Sequence, residues 1–491
     1  MCQHNPFFPL MTILDYIALN FILKGMFSQS NVRDPKTYDL TSFEFGDRDS
    51  DVKCEFYKWN DSMKQDKSAV FEEFNSPLTE LLEKNPYSRE CSSLTDEQWV
   101  KMGLKRVLGS HSSGRGFLQG SSFKCDEDLL TGHYFDALKS ERRYLHLKSL
   151  NESLINSNDA WDNCDDPISS ECPELKEYLI HLGDGHHHKA PIHEEKVGGK
   201  VYSTQHFYAK NIRNHMMWHL AVADYGDTRK KEHDMHMLKR QDIETLRAGA
   251  PKGVKSLWIW DKACMSFQQW HEWKRRGIYF LTLEKDLNEF TVISKADIDG
   301  EDDVNSCVVK DERVASGTKN LVLRRVTYRC PESGNVYRFI TNLPMKIRPG
   351  VIAFLYKCRW DIEKSYNTFK HKFGETRAWA VSPTAKAAQA NFLCLTHNLS
   401  LILNRKVDEE VSKPENSPNY PSKKIKKKRI SRLKSQCLKL KKSVPKLLLK
   451  VFRLIEIPKS FVRWLQEMMY SRRSWTESLA ILEYTCARHK C

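Results

Sequence analysis

The chain has 491 residues, of which 40% are hydrophobic and 11% aromatic. This length and composition exclude a disordered chain and allow about three domains with a sizeable core. The formal net charge of +15 suits a polyanionic partner such as nucleic acid, although charge alone does not identify one.

The cysteines and the first residues indicate a cellular location. The 14 cysteines include no Cys-x-x-Cys pair, so neither a zinc knuckle nor a regular disulfide framework is predicted, and a reducing cytoplasm fits best. The apolar segment 1–30 is interrupted by Pro9, Asp15 and Lys24 and lacks a basic start. We therefore expect a helical appendage instead of a signal peptide or membrane span, and no membrane partner.

Residues 31–160 are predicted to form a mainly helical region that can bind DNA ends. In "SSLTDEQWVKMGLKRVLG", Thr95 and Gln98 have the spacing of a capping box, and Gly109 is a plausible helix end. A Gly/Ser-rich stretch then precedes "LLTGHYFDALKSERRYLHLKSLNESL", which is predicted to be one further long helix.

The pattern changes to alternating strands and helices in residues 174–405, which predicts an α/β layer. Short strand-like runs in 287–345 indicate a β-rich insertion within it. Residues 406–422 are rich in Pro, Asn and Ser and are interpreted as a linker. Residues 423–491 are predicted to be a basic helical C-terminal region.

A dense basic run lies in that last region. Between Pro421 and Lys446 there are twelve basic residues and no acidic one: Lys423, Lys424, Lys426, Lys427, Lys428, Arg429, Arg432, Lys434, Lys439, Lys441, Lys442 and Lys446. This density favours contact with the DNA backbone, with Lys426, Lys427, Lys428 and Arg429 as its centre. A solvated helix face is the alternative.

Two aspartates follow strand-like runs. Asp184 comes after "EYLIHLG" between two glycines and is predicted to end that strand, with an ordinary turn aspartate as the alternative. Asp261 follows "SLWIW", a run typical of a strand covered on both faces. Because an unpaired buried carboxylate is strongly unfavourable, Asp261 either lies at the exposed edge of the sheet or holds a cation.

A third feature is the segment "YKCRWDIEKSYNTFK", where Tyr356, Arg359, Glu363 and Lys370 are spaced to share one narrow face of a helix. An apolar face beside this polar stripe is predicted to dock on the core and comprises Phe354, Leu355, Cys358, Ile362, Tyr366, Phe369 and Phe373. The alternative is a solvated edge on which Arg359 and Glu363 form an ordinary i,i+4 pair.

If the two strands are neighbours and the helix packs on them, Asp184, Asp261 and Glu363 converge. Such an oxygen-rich site suits two Mg²⁺ or Mn²⁺ ions and phosphodiester cleavage. Arg359 and Lys370 can then hold phosphates, and Tyr356 can position a phosphate or a base. Zinc is not favoured, because no Cys or His pair has the spacing of a structural zinc site.

The spacing Tyr-x2-Arg-x3-Glu-x6-Lys resembles the signature of the DDE transposases of insertion-sequence family four. "GDGHHHKAPIH" and "LWIWDKACMSF" are similar to that family's two aspartate strands, and the similarity covers about residues 130–405. Some members stack a flipped base on a tryptophan of the insertion. Residues 287–345 contain no tryptophan, and their candidate aromatics are Phe290, Tyr328, Tyr337 and Phe339.

The resemblance implies a ribonuclease-H-like core and a DNA transposase acting on the terminal inverted repeats of its own element and on target DNA. It implies Asp184, Asp261 and Glu363 as metal ligands, Tyr356 and Arg359 at the terminal phosphate, and Lys370 on the DNA backbone. A homodimer in the synaptic complex is also implied, as is a cytoplasmic, nucleoid-associated location in a prokaryote. The alternative is a catalytically inactive, transposase-derived protein that binds the same double-stranded DNA.

Overall fold

The computed structural model describes residues 68–84, 94–109, 113–122, 131–157, 168, 171–196, 199–223, 232–285, 289–316, 321–331, 333–412 and 457–488. All of them belong to one compact unit, Lys64–Cys491. The predicted N-terminal appendage, residues 1–30, and the basic run with Lys426, Lys427, Lys428 and Arg429 lie outside the described residues. Among the described residues, no helix is long and apolar enough to cross a membrane.

The described residues before the sheet include the helices α1 (Ala69–Lys84), α2 (Asp96–Leu108), α3 (Gly114–Ser122), α4 (Thr131–Leu138) and α5 (Glu141–Ser157). The predicted capping box is confirmed, because the Gln98 amide donates to the Thr95 side chain and the Thr95 amide donates to the Gln98 side chain. Gly109 caps the other end of α2.

Two details of this helical region differ from the sequence prediction. The Gly/Ser-rich stretch contains helix α3, and the predicted single long helix is divided into α4 and α5. Both α4 and α5 belong to the same apolar core through Tyr134, Leu138, Leu147 and Leu154. Packing of these side chains into one core stabilises two short helices, which the helical periodicity of the sequence does not indicate.

Nine strands of the described segments form one sheet in the order β3-β2-β1-β4-β5-β9-β8-β7-β6. The strands are β1 (Tyr178–His188), β2 (Thr204–Asn211), β3 (Met217–Val222), β4 (Lys255–Ile259), β5 (Ile278–Leu283), β6 (Phe290–Lys295), β7 (Val308–Ser316), β8 (Val322–Arg329) and β9 (Val336–Thr341). Strands β1, β2 and β3 are antiparallel neighbours, whereas β4 and β5 run parallel to β1. The predicted β-rich insertion, β6 to β9, extends the same sheet through the antiparallel pair β5–β9.

Helices cover both faces of the sheet. On one face, Ile180, Leu182, Leu257 and Ile259 join the core formed with α9 (Pro349–Cys358), α10 (Trp360–His371) and α11 (Pro383–Ser412). On the other, Trp258, Ile278 and Phe280 pack with residues of α6 (Asp234–Lys239), α7 (Ile243–Arg247) and α8 (Phe267–Lys274). This mixed α/β arrangement agrees with the predicted fold class at that level.

The helices near the C-terminal end of the chain do not follow the predicted domain boundaries. Helix α11 continues through Ser412, so the boundary predicted between residues 405 and 406 lies inside a helix. Its buried residues Leu403 and Val407 belong to the main core, and this packing prolongs the helix into the polar segment. Helices α12 (Lys459–Met468) and α13 (Trp475–Arg488) also belong to this core, through Trp464 and Leu482 among others.

Candidate functional site

Asp184 and Asp261 lie at the same level of two neighbouring parallel strands. The last parallel pair of β1 and β4 joins Leu182 and Ile259. Asp184 comes two residues after Leu182, and Asp261 comes two residues after Ile259. Because side chains two residues apart on a strand point to the same face, both carboxylates continue the rows of side chains that face α9, α10 and α11. The strands are therefore the neighbours that the sequence argument required.

Asp184 does not end its strand, contrary to the sequence prediction. Strand β1 continues to His188, because residues 181–188 pair with β2 on its other side. With respect to β4, however, Asp184 lies beyond the last pair. Asp184 is thus paired with β2 on one side and has no strand partner in β4 on the other, where the candidate site lies.

The predicted single helix is interrupted at Arg359. Helix α9 ends at Cys358 and α10 begins at Trp360, and the Ile362 amide donates to the Arg359 carbonyl at 3.2 Å in a tightened turn. Tyr356 and Glu363 therefore belong to different helices. The predicted apolar face is confirmed, because all seven of its residues are buried: Phe354, Leu355, Cys358, Ile362, Tyr366, Phe369 and Phe373.

Arg359 bridges two of the predicted carboxylates. Its Nη2 donates to Oε1 of Glu363 at 3.0 Å, and its Nη1 lies 3.7 Å from Oδ2 of Asp184. The Arg359 side chain is only 9% exposed, compared with 34% for Glu363. The pair with Glu363 is the i,i+4 pair foreseen as an alternative, but it is half-buried and extends to a strand residue.

The environment of Asp184 opposes its negative charge. Burial raises the pKa of the Asp184 carboxyl to about 7, although Arg359 and the Gly185 amide, which donates to Oδ1 at 2.9 Å, act in the opposite direction. The charges of Asp234 and Glu363 contribute further to the raised pKa. A carboxylate in this position is stabilised by any additional cation.

Two polar side chains attach α10 to the sheet. Tyr366 donates its hydroxyl hydrogen to the Asp184 carbonyl at 2.9 Å. The buried Lys210 of β2 donates to the Asp361 carbonyl at 3.1 Å and to the Ser365 hydroxyl at 3.0 Å. Glu363 lies between these contacts, so its backbone position relative to Asp184 depends on both.

A cavity of about 430 Å³ adjoins Asp261 and Arg359. Aromatic side chains dominate its wall, and they are Tyr328, Tyr337, Phe339, Phe354, Tyr356 and Trp360. Lys262 and Lys357 add positive charge. Three of the four aromatics noted in the insertion line this cavity, whereas Phe290 packs against Phe267 on the other face.

The donor chemistry fits a hard divalent cation, because Asp184, Asp261 and Glu363 supply carboxylate oxygens, and all three favour the charged form of Arg359. The present arrangement does not form a ready ion site. In the described part of the chain, no group of three or more His, Cys, Asp or Glu side chains is placed to hold a metal. A guanidinium occupies the bridging position between Asp184 and Glu363, so the metal-ligand role stays a prediction.

The remaining predicted residues take different positions. Tyr356 is buried, burial raises its pKa to about 12, and its ring packs 5.1 Å from that of Phe339. Lys370 is exposed at the far end of α10. Lys210 is a residue of the site that was not predicted, although a lysine inside the apolar, aromatic strand "TQHFYAKN" was a signal for it.

Comparisons with known proteins identify no family. No family model matches the sequence, and no curated protein matches it. Among solved structures, the chain is similar to the piggyBac transposase synaptic complex with hairpin DNA, with a TM-score of 0.30 and 10% sequence identity over 84% of each chain. Similarity at this level establishes neither a family nor an activity.

Proposed function

We propose that the protein is a DNA transposase that binds the terminal inverted repeats of its element and catalyses strand cleavage and strand transfer. The observation that carries this proposal is the position of Asp184 and Asp261, level with each other on adjacent parallel strands, with Arg359 in contact with both Asp184 and Glu363. In this proposal, β1 to β5 form the ribonuclease-H-like core.

Asp184, Asp261 and Glu363 would hold two Mg²⁺ or Mn²⁺ ions. Such ions, when bound, supply Lewis-acid activation for phosphodiester cleavage and strand joining. The chain's own residues would orient the DNA: Arg359 and Tyr356 at the terminal phosphate, and Lys370 on the backbone. The basic run with Lys426, Lys427, Lys428 and Arg429 would add contacts that do not depend on base sequence.

One observation favours the second candidate, a transposase-derived protein that binds DNA without cutting it. In the described part of the chain the carboxylates are not grouped to hold a metal ion, and Arg359 contacts two of them. A protein of this kind would bind the same double-stranded DNA and would need no divalent ion.

The test uses a labelled DNA fragment taken from the sequence that flanks the reading frame. Binding and nicking are measured on the same gel, with and without Mg²⁺, for the parent, Glu363→Gln and Arg359→Ala. We expect Glu363→Gln to bind as well as the parent but not to nick, because it keeps the size of the side chain and loses its charge. Arg359→Ala should lose affinity at the cleaved end.

Two outcomes would decide against the enzyme. Undiminished nicking by Glu363→Gln would exclude the catalytic role of this carboxylate. A parent protein that binds the fragment and does not nick it with either Mg²⁺ or Mn²⁺ would support the non-cutting candidate.

A further inference from the structure

We propose that Arg359 and a divalent ion compete for the same two carboxylates, and that ion binding moves the Arg359 guanidinium into the adjoining cavity, where it can contact a phosphate. This inference rests on the proposed function and adds a means of regulation to the same site. It assigns Arg359 two alternative partners instead of one fixed role.

Arg359 contacts carboxylate oxygens that a divalent ion would also bind. Arg359 bridges Asp184 and Glu363 through its two terminal nitrogens, at 3.7 and 3.0 Å. A divalent ion would bind carboxylate oxygens at about 2.0–2.6 Å. A guanidinium and an ion are both positively charged, so they cannot occupy the same bridge together at low energy cost.

The present contacts leave the Arg359 guanidinium without its full set of hydrogen bonds. The 3.7 Å contact with Asp184 is too long for a hydrogen bond. In addition, the buried Nε of Arg359 has no hydrogen-bond partner among the described residues. A buried donor without a partner costs free energy, whereas a phosphate can accept two parallel hydrogen bonds from an arginine. Another position can therefore satisfy this side chain better.

The cavity beside Arg359 has room for its guanidinium. Arg359 is part of the wall of the 430 Å³ cavity. The guanidinium carbon lies 5.9 Å from the centre of the Tyr356 ring and 5.3 Å from that of the Trp360 ring. Aromatic faces at such distances attract a guanidinium, so these two rings can support it on the cavity side.

The consequence is a coupling between the two ligands of the site. An ion on Asp184 and Glu363 releases Arg359, and a phosphate that holds Arg359 away from the carboxylates makes them available to an ion. Each ligand therefore raises the affinity for the other, as thermodynamic linkage requires. Cleavage chemistry would be assembled only when both the ion and a DNA phosphate are present.

The experiment measures Mn²⁺ affinity directly in the absence of DNA, by the electron paramagnetic resonance signal of free Mn²⁺. The proteins are the parent, Arg359→Gln, Lys262→Gln and Glu363→Gln, each checked for a parent-like circular dichroism spectrum. Lys262 is the matched control, because it is an exposed cation that lines the same cavity and follows Asp261 directly. Its loss reports the effect of simply removing a nearby positive charge.

We expect Arg359→Gln to bind Mn²⁺ about tenfold more tightly than the parent, a change of about 1.4 kcal/mol, and Lys262→Gln to differ by less than about threefold. Glu363→Gln should bind weakly. Equal gains for Arg359→Gln and Lys262→Gln would overturn the exchange but leave the ion site intact. If neither the parent nor Arg359→Gln binds Mn²⁺, or if Glu363→Gln binds it as the parent does, the ion site of the proposed function is itself wrong.

Discussion

Tyr366 of α10 donates a hydrogen bond to the backbone carbonyl of Asp184 in β1, with 2.9 Å between the two oxygens. This bond connects the helix of one predicted ligand to the strand of another. The Tyr366 ring also stacks on His186, with a centroid distance of 4.4 Å and an interplanar angle of 19°. The hydroxyl and the ring therefore make separate contributions that substitution can distinguish.

Tyr366→Phe should lower the free energy of unfolding by about 1 kcal/mol, because it removes one buried hydrogen bond and keeps the ring. Tyr208→Phe is the matched control, since the buried Tyr208 hydroxyl has no hydrogen-bond partner among the described residues and its ring lies 5.7 Å from that of Tyr366. This control should be neutral or slightly stabilising. Urea unfolding of both variants provides the measurement, and equal losses would contradict the assignment.

The raised pKa of Asp184 predicts a pH-dependent contribution to stability. The ordinary pKa of 3.8 applies to the unfolded chain and a pKa of about 7 to the folded one, so the folded protein binds more protons between these values. The contribution is fully present below pH 3.8 and is lost as the pH rises through 7. Ionisation of Asp184 should therefore destabilise the fold at pH 8 by an amount on the order of 2–4 kcal/mol.

Asp184→Asn removes this titration. The free energy of unfolding of this variant should rise relative to that of the parent between pH 4 and pH 8. At pH 8 it should be larger than that of the parent. Chemical unfolding of both proteins at a series of pH values gives the difference, in which the titrations of other groups cancel. A difference that does not change with pH would show that Asp184 is ionised at little cost in the folded protein.

Two glycines of β1 should respond differently to alanine. A Cβ at Gly183 would lie 2.2 Å from the ring of Trp260, which is buried beside Asp261, whereas a Cβ at Gly185 would lie 3.2 Å from the Gln205 side chain. Gly183→Ala should lower the free energy of unfolding by about 1–3 kcal/mol or more through overpacking. Gly185→Ala should cost clearly less. Thermal unfolding compares the two, and equal melting temperatures would refute the close approach of Trp260.

Deletion of residues 421–446 tests the basic run, which the described structure does not include. We expect weaker DNA binding and a flatter dependence of affinity on salt concentration, because up to twelve phosphate contacts would be lost. The measurement is a salt titration of DNA affinity for the full chain and the deletion variant. An unchanged slope would favour the solvated helix face.

Several elements followed from the sequence because their causes are local. The capping box of Thr95 and Gln98 needs only residues three apart, and the apolar face from Phe354 to Phe373 follows from helical periodicity. In each case the deciding interaction lies within a few residues of the chain.

The tertiary structure decided what depends on distant partners. Strand β1 continues past Asp184 because β2 pairs with it, and the helix breaks at Arg359, whose side chain reaches Asp184, 175 residues earlier (359 − 184). Lys210 joins the site only because β2 lies beneath α10. Residue types and periodicity therefore determined which side chains can do chemistry, whereas long-range pairing and burial determined which of them meet and what charge they hold.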